Sequence, residues 1–308
     1  MITYVKGDLF ASPARVLVNT VNTVGVMGKG VAGVFKKLYP DMFKRYREMC
    51  EKKSLDIGML YLYKTPNKWI LNFPTKRDWR RPSKLEYIEA GLRKFALGCV
   101  EKGIYSVAFP PLGCGNGGLD WNVVRLLMEK YLAPLPIDVL IYPHLGTAER
   151  LEHELPKNIK SWLHSEPEDL PFNEVWDDLK EVLKRKQTFS TIDSGESFRV
   201  TVDNGTESIT ISSNTGECAV DYDALLGLWQ RLRQFKYVTQ YSSPPDVESI
   251  LSYLIPLFLE LDYISPFYAS IRNGDEVETS PPGGLQYRPP PSRSRIAVEP
   301  LLAASSAT

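Results

Sequence analysis

The sequence of 308 residues has few cysteines and histidines and no long apolar run. Its four cysteines are scattered and form no C-x-x-C pair, so we expect neither a disulfide scaffold nor a Cys/His metal site. A chain of this length can bury most of its surface without such crosslinks. No stretch reaches the roughly 18 apolar residues of a membrane span, and the N-terminus does not resemble a signal peptide. These absences favour a reduced, cytoplasmic protein with no membrane partner.

The charge is zero overall but is divided unequally along the chain. Residues 1–155 contain 23 Lys and Arg against 15 Asp and Glu, whereas the remainder contains 14 against 22. The two parts therefore carry net charges of +8 and −8. A basic first half favours an anionic ligand. The alternative is that the two halves have ordinary solvated surfaces and that the charge division has no functional meaning.

The first half alternates strands with helices. The β-branched runs at 2–5 and 15–20 predict strands, and apolar residues at helical spacing predict helices over 83–103 and 120–132. Ser83 and Glu86 have the spacing of a capping box for the first of these helices. The alternation predicts an α/β domain over residues 1–155 with a mostly parallel or mixed central sheet flanked by helices.

The second half has a different organisation. The pattern loosens over 156–173, which we interpret as a linker. Residues 174–272 combine helices with short strands, including a hairpin signal at Asn204-Gly205, and predict a small acidic α+β domain. Residues 273–308 are rich in Pro, Gly and Ser and predict a disordered tail.

Glycine-bearing loops follow three predicted strands of the first half, at 7–8, 19–30 and 111–118. Glycine lets backbone N–H groups turn toward an oxyanion, and a following helix N-terminus adds a favourable dipole. The loops match neither a Walker motif nor G-x-G-x-x-G with a suitably spaced acid. Two of them in one domain favour a bound diphosphate; the alternative is that the glycines only close tight turns.

Several motifs in these loops resemble the macrodomain family, an ADP-ribose-binding fold. They are GDL near the start, LVNTVNTVGVMGKGVA and PPLGCGNGGLDW, and with NFPTKRDWRRPSKLEYIEAGL they are similar to the DarG branch of that family. The resemblance covers about residues 1–145. It implies an enzyme that hydrolyses the N-glycosyl bond between ADP-ribose and a base of single-stranded DNA, an antitoxin to a DarT-like DNA ADP-ribosyltransferase. It implies no cofactor and no metal.

The resemblance also implies roles for individual residues. Asp8 matches the acid that binds the adenine amine, and Asn22 matches the asparagine that binds the distal ribose; a turn or cap for Asp8 and loop support for Asn22 are the alternatives. Lys76 matches the catalytic lysine, as nucleophile or proton shuttle, and its cationic neighbours are expected to lower its pKa. The implied ligand-binding residues are Asp8, Leu9, Asn22, Gly28, Lys29, Gly30, Val31, Thr75, Pro111, Leu112, Gly113, Cys114, Gly115, Asn116, Gly117, Gly118, Leu119 and Tyr142.

A basic segment after Lys76 predicts the contact with DNA. Arg77, Arg80 and Arg81 can bind phosphates, and Trp79 can stack on an unpaired base. The alternative is a solvated loop with Trp79 in the core. The modified base, thymidine or guanosine, stays open, as do a non-catalytic ADP-ribose reader and a hydrolase of ADP-ribosylated protein or RNA. By its position, the acidic second domain is implied to bind the toxin, with oligomerisation or DNA targeting as alternatives.

Overall fold

The computed structural model describes residues 1–28, 30–143, 163–267, 270–273, 276–279 and 283–288. The chain divides into two units, Met1–Arg185 and Lys186–Thr308. None of the described helices is both long and apolar enough to cross a bilayer. All four cysteines are free thiols.

A mixed sheet of six strands is the centre of the first unit. The strands are β1 (Ile2–Tyr4), β2 (Val16–Val21), β3 (Tyr61–Lys64), β4 (Trp69–Pro74), β5 (Ser106–Phe109) and β6 (Asp138–Ile141). They lie in the order β1-β6-β5-β2-β4-β3. All neighbouring pairs are parallel except β3 and β4, which form an antiparallel hairpin. The predicted α/β class with a mixed sheet is confirmed.

Helices cover both faces of this sheet. They are α1 (Gly30–Leu38) and α2 (Pro40–Glu51) on one face and α3 (Leu85–Gly98) and α4 (Trp121–Leu132) on the other, and the unit ends with α5 (Phe172–Arg185). Because side chains alternate along a strand, Val16 and Val18 of β2 join the core beneath α3 and α4, and Leu17 joins the core beneath α1 and α2. The two cores keep the loops at the strand ends in fixed places.

Helix α3 packs closely on β4 through Gly91. A Cβ atom at Gly91 would lie 2.2 Å from Cζ of Phe73, a ring that is fully buried. We therefore expect Gly91→Ala to lower the free energy of unfolding by about 2–3 kcal/mol through overpacking. Gly98→Ala, in the same helix but with no atom within 4 Å of the new methyl group, should raise it by up to about 1 kcal/mol through helix propensity. Denaturant unfolding of both variants measures the difference, and equal effects would contradict this packing.

The helix caps agree with the sequence in one case and differ in the other. Asp120 caps α4, with its carboxylate accepting from Asn122 N at 2.9 Å, as predicted. The capping box of α3 is wrong: the N-cap is Lys84, with no side-chain hydrogen bond at that cap. Ser83 is instead buried, and its backbone N–H donates to Gly117 O at 2.9 Å. The glycine loop after β5 therefore holds the chain where a cap would have formed.

The second unit is an α+β structure. A four-stranded antiparallel sheet contains β7 (Thr188–Ser190), β8 (Ser197–Asp203), β9 (Ser208–Ser213) and β10 (Gly216–Asp221). The predicted hairpin at Asn204-Gly205 joins β8 to β9. The remaining elements are α6 (Tyr222–Phe235), β11 (Tyr237–Thr239), α7 (Pro245–Glu248), α8 (Leu251–Phe258), β12 (Ile264–Phe267), β13 (Ser270–Asn273), β14 (Glu276–Thr279) and β15 (Gly284–Tyr287).

The boundaries along the chain differ from those expected from the sequence. The division between the units follows Arg185, so α5 is part of the first unit and not the start of the second at residue 174. Strand β15 lies inside the predicted tail, where it pairs with β11 and β12 and buries Leu285 completely. Residues 144–162 and 289–308, which hold parts of the predicted linker and tail, are outside the described residues.

Candidate functional site

The predicted site residues lie at one edge of the sheet. Because β1, β2, β4, β5 and β6 are parallel, the segments that follow them leave from the same side. Asp8 follows β1, Asn22 follows β2, Lys76 follows β4, residues 111–119 follow β5 and Tyr142 follows β6. Ligands of α/β proteins bind at this edge.

The loop after β2 is shaped by Asn22. Its Oδ1 accepts from the backbone N–H groups of Val24 and Val26 at 3.1 and 3.2 Å, and its Nδ2 donates to Val26 O at 2.6 Å. The Tyr46 hydroxyl, from α2, donates to Asn22 Oδ1 and O at 3.0 and 2.8 Å. The amide thus supports its own loop, which was the alternative considered, while its contact with a ribose stays a prediction. Tyr46 could not be assigned from the sequence because its contact spans two separate elements.

Asp8 lies between the first strand and a short 3₁₀ helix over Leu9–Ala11. Its carboxylate accepts from Phe10 N at 2.9 Å and caps that helix. The side chain is half-buried, whereas Leu9 is fully buried. The cap fixes the carboxylate at the edge of the sheet, and its predicted contact with adenine stays a prediction.

The loop after β5 folds back on itself. Leu119 N donates to Gly113 O at 3.1 Å, and Gly118 N donates to Gly115 O at 3.0 Å. Gly113 and Gly118 have φ angles of +71° and +76°, which favour glycine. Sequence reasoning missed Ser83, whose buried Oγ faces this loop without a hydrogen-bond partner among the described residues.

The loops after β2, β4 and β5 converge. Lys76 Nζ donates to the backbone oxygen of Asn116. A Cβ atom at Gly30 would lie 3.3 Å from Asn116 Nδ2, so the N-terminus of α1 lies beside the same residue. Lys29 itself lies outside the described residues. The structure thus brings Gly30, Lys76 and Asn116 together.

Most of the other predicted ligand residues are half-buried or buried in the loops that form the site. Pro111, Cys114 and Leu119 are half-buried in the loop after β5, and burial raises the pKa of the Cys114 thiol to about 11. The carbonyl oxygen of Gly28 lies close to Gly33 of α1, 3.5 Å from where a Cβ atom would be. The buried members, which contribute packing, are Val31, Thr75, Leu112 and Tyr142.

Lys76 has a lowered pKa, but for a different reason from the one predicted. Burial lowers the pKa of its ammonium group below the usual 10.5, and the carboxylate of Asp78 opposes this. The cationic neighbours are not the cause: Arg77 pairs with Asp56 at 2.9 Å, and Arg80 pairs with Glu174 at 2.5 Å. Two of the three arginines near Lys76 in sequence, Arg77 and Arg80, are thus directed to carboxylates.

This burial predicts a measurable difference among the lysines. A hydrogen bond to Glu89 raises the pKa of Lys130, which is on the surface of α4. Because only the neutral amine is acylated, and the lower pKa yields neutral amine at lower pH, Lys76 should reach half-maximal reactivity at a lower pH than Lys130. Competitive acetylation followed by mass spectrometry measures both midpoints. The reverse order would contradict the buried position of Lys76.

The predicted DNA-binding side chains mostly contact groups of the same unit. Glu174, only 4% exposed, accepts from both terminal nitrogens of Arg80 and from Trp79 Nε1. Arg77 is engaged by Asp56. Arg81 is exposed. Of the four predicted residues, Arg77, Trp79 and Arg80 thus contact carboxylates, whereas Arg81 is exposed. The sequence offered no signal for Glu174, which lies 94 positions beyond Arg80.

Comparison with known proteins identifies the family. Residues 18–128 match the profile of the Macro domain. The chain is 30% identical over 142 residues to an ADP-ribose glycohydrolase of Bos taurus, a match that covers 46% of this chain and 90% of that relative. The chain belongs to the macrodomain family. Its glycine loops and the residues at the carboxyl edge of the sheet are therefore those of a macrodomain.

Two further relatives have longer chains. A DNA ADP-ribosyl glycohydrolase of Mycobacterium tuberculosis is 48% identical over 157 residues, covering 49% of this chain and 45% of the relative. A DNA ADP-ribosyl transferase-DNA ADP-ribosyl glycohydrolase fusion protein of Thermosipho africanus is 41% identical over 160 residues, covering 46% of this chain and 41% of the relative. The macrodomain part accounts for these matches, which span less than half the length of either relative.

Proposed function

We propose that this macrodomain protein is a DNA ADP-ribosyl glycohydrolase that acts as the antitoxin of a DarT-like DNA ADP-ribosyltransferase. The substrate is ADP-ribose bonded to a base of single-stranded DNA. The observation that carries the proposal is the meeting of Lys76, Gly30 and Asn116 at the carboxyl edge of the sheet. The identity of 48% with a DNA ADP-ribosyl glycohydrolase supports it.

The loops divide the binding of ADP-ribose among them. The loop Gly113 to Gly118 holds the diphosphate through those of its backbone N–H groups that are not bonded within the loop, and the dipole at the N-terminus of α1 adds to this attraction. Asp8 accepts from the adenine amine. The loop that Asn22 shapes encloses the distal ribose. These contacts place the anomeric carbon beside Lys76 and thereby contribute orientation.

Lys76 performs the chemical step in one of two ways. As a base, its neutral amine accepts a proton from water while the water oxygen attacks the anomeric carbon, and the bonding electrons leave with the base nitrogen. As a nucleophile, the amine attacks the anomeric carbon and the base nitrogen leaves with the bonding electrons; the lysine–sugar adduct then opens to an imine, which water hydrolyses to ADP-ribose and the free amine. Burial, which lowers the pKa of Lys76, increases the fraction of the neutral amine that both routes require.

The DNA and the toxin contact different parts of the chain in this proposal. Arg81 binds the phosphate backbone near the modified nucleotide, since the other predicted arginines are engaged by Asp56 and Glu174. The acidic second unit binds the basic cleft of a toxin through charge complementarity. Fusion of transferase and glycohydrolase in a relative supports such a pairing. Because the proposed substrate is chromosomal DNA, we place the protein in the cytoplasm.

The test is release of ADP-ribose by the full chain from matched substrates. Single-stranded oligonucleotides with one ADP-ribosylated thymidine or guanosine are compared with ADP-ribosylated RNA and protein. We expect release from one of the DNA substrates to be the fastest. Tight binding of ADP-ribose without release from any substrate would instead support a reader, and faster release from RNA or protein would move the activity to that substrate class.

A further inference from the structure

Residues 166–174, here called the brace, contact the helices α1 and α2 of the macrodomain. Lys36 of α1 pairs with Asp169 at 2.6 Å and with Glu166 at 3.1 Å. The buried Arg47 of α2 contacts Asp169 at 3.4 Å. The brace is thereby fastened to both helices that cover one face of the sheet.

The end of the brace lies directly behind the loop that Asn22 shapes. Pro171 is close to Gly25 of that loop: a Cβ atom at Gly25 would lie 3.1 Å from Pro171 Cβ. The next residue, Phe172, is fully buried, and its N–H donates at 3.1 Å to Glu51, a carboxylate with 1% exposure. A buried acceptor for the first N–H of α5 fixes where this helix begins.

Glu174, in the first turn of α5, contacts two residues of the loop after β4 that also contact each other. Its Oε1 accepts from Trp79 Nε1 and Arg80 Nη1, both at 3.0 Å, and its Oε2 accepts from Arg80 Nη2 at 2.5 Å. The Arg80 guanidinium also lies 4.2 Å from the centroid of the Trp79 ring. Bidentate pairing and the cation–π contact together fix both side chains in one arrangement.

The loop that Glu174 holds is the one that carries Lys76. Arg77 O, one residue after Lys76, accepts from Thr23 N at 3.2 Å and from Thr23 Oγ1 at 2.9 Å. Hydrogen bonds therefore attach the segment 76–80 to the loop after β2 at one end and to α5 at the other. Lys76 lies immediately before the first of these attachments, and its Nζ donates to Asn116 O.

We propose that Glu174 is a positioning residue that holds the Lys76 loop in its reacting orientation through Trp79 and Arg80. This inference rests on the proposed glycohydrolase function. Glu174 does not touch the substrate; it acts by fixing two side chains of the loop. A displacement of about 1 Å at a reacting group can cost on the order of 100-fold in rate, so a modest loosening of this loop has a large effect.

The test is a double-mutant cycle in the full chain, with Glu174→Gln, Arg80→Gln and the combination of both. Each single variant should lower kcat on ADP-ribosylated DNA by about 10-fold, as expected for a sub-ångström displacement. The combination should be no worse than either alone, because both remove the same contact. The affinity for free ADP-ribose should stay within about twofold, since these side chains are outside the diphosphate loop. Glu181→Gln, on an exposed part of the same helix, is the matched control and should leave kcat unchanged.

Amide hydrogen exchange gives a second readout that does not depend on activity. Peptides covering residues 76–81 should exchange faster in Glu174→Gln than in the wild type or in Glu181→Gln. Unchanged kcat and unchanged exchange, with only a lower melting temperature, would show a purely structural role and overturn the inference.

A different result would show that Glu174 masks Arg80 from DNA. In that case Glu174→Gln would lower KM for the DNA substrate, Arg80→Gln would raise it, and the inference would again be overturned. The wild type separates the two proposals. A wild type that releases no ADP-ribose overturns both, whereas an active wild type with unaffected variants overturns only the role of Glu174.

Discussion

Replacing Lys76 with alanine is expected to leave ADP-ribose bound and to slow its release from DNA by about 100- to 10,000-fold, the usual contribution of a positioned proton-transfer group. The reason is the position of the amine, which is half-buried where three loops meet and donates to Asn116 O. Binding depends on backbone groups of other loops and should change little. Single-turnover release and calorimetric titration with ADP-ribose measure the two effects separately.

Two control variants sharpen this prediction. Lys76→Arg keeps a positive charge but cannot supply a neutral amine, so it should be as inactive as the alanine variant if the amine reacts or accepts a proton. Lys94→Ala removes a lysine from the exposed face of α3 and should be fully active. Activity of Lys76→Arg near that of the wild type would mean that charge alone is needed, and activity of Lys76→Ala would remove the residue from the mechanism.

Gly117→Ala is expected to weaken ADP-ribose binding by about 10- to 100-fold. A Cβ atom at Gly117 would lie 2.1 Å from Gly113 O and 2.3 Å from Ser83 Oγ. The backbone oxygen cannot move aside without breaking its bond with Leu119 N, so the loop must open. Overpacking of this kind costs about 1–3 kcal/mol, which corresponds to the predicted range of affinity.

The neighbouring Gly115 provides the structural control. No atom lies within 4 Å of a Cβ atom at this position, and its φ angle is not among the positive ones. Gly115→Ala should therefore leave the melting temperature unchanged, whereas Gly117→Ala should lower it. Unaltered ADP-ribose affinity in Gly117→Ala would show that the folded-back loop is not the binding conformation.

The sequence predicted the mixed α/β sheet and the loops that follow its strands because both depend on local signals. The strand at 15–20, the glycine loop after β5 and the Asp120 cap each follow from residues close together in the chain. The pairing of Arg80 with Glu174 could not be predicted, since it joins segments separated by 94 positions. The hydrogen bonds between Tyr46 and Asn22 could not be predicted for the same reason. The spacing of Ser83 suggested a helix cap, but its backbone N–H bonds to the glycine loop after β5, which is distant in the sequence.

The first unit extends past the residues that match the family profile, which end at 128, to Arg185. Any chimaera that transplants this macrodomain onto another partner module therefore has to include α5, or the loop bearing Lys76 loses its buried carboxylate. Relatives that exchange modules by recombination are thus expected to join after this helix.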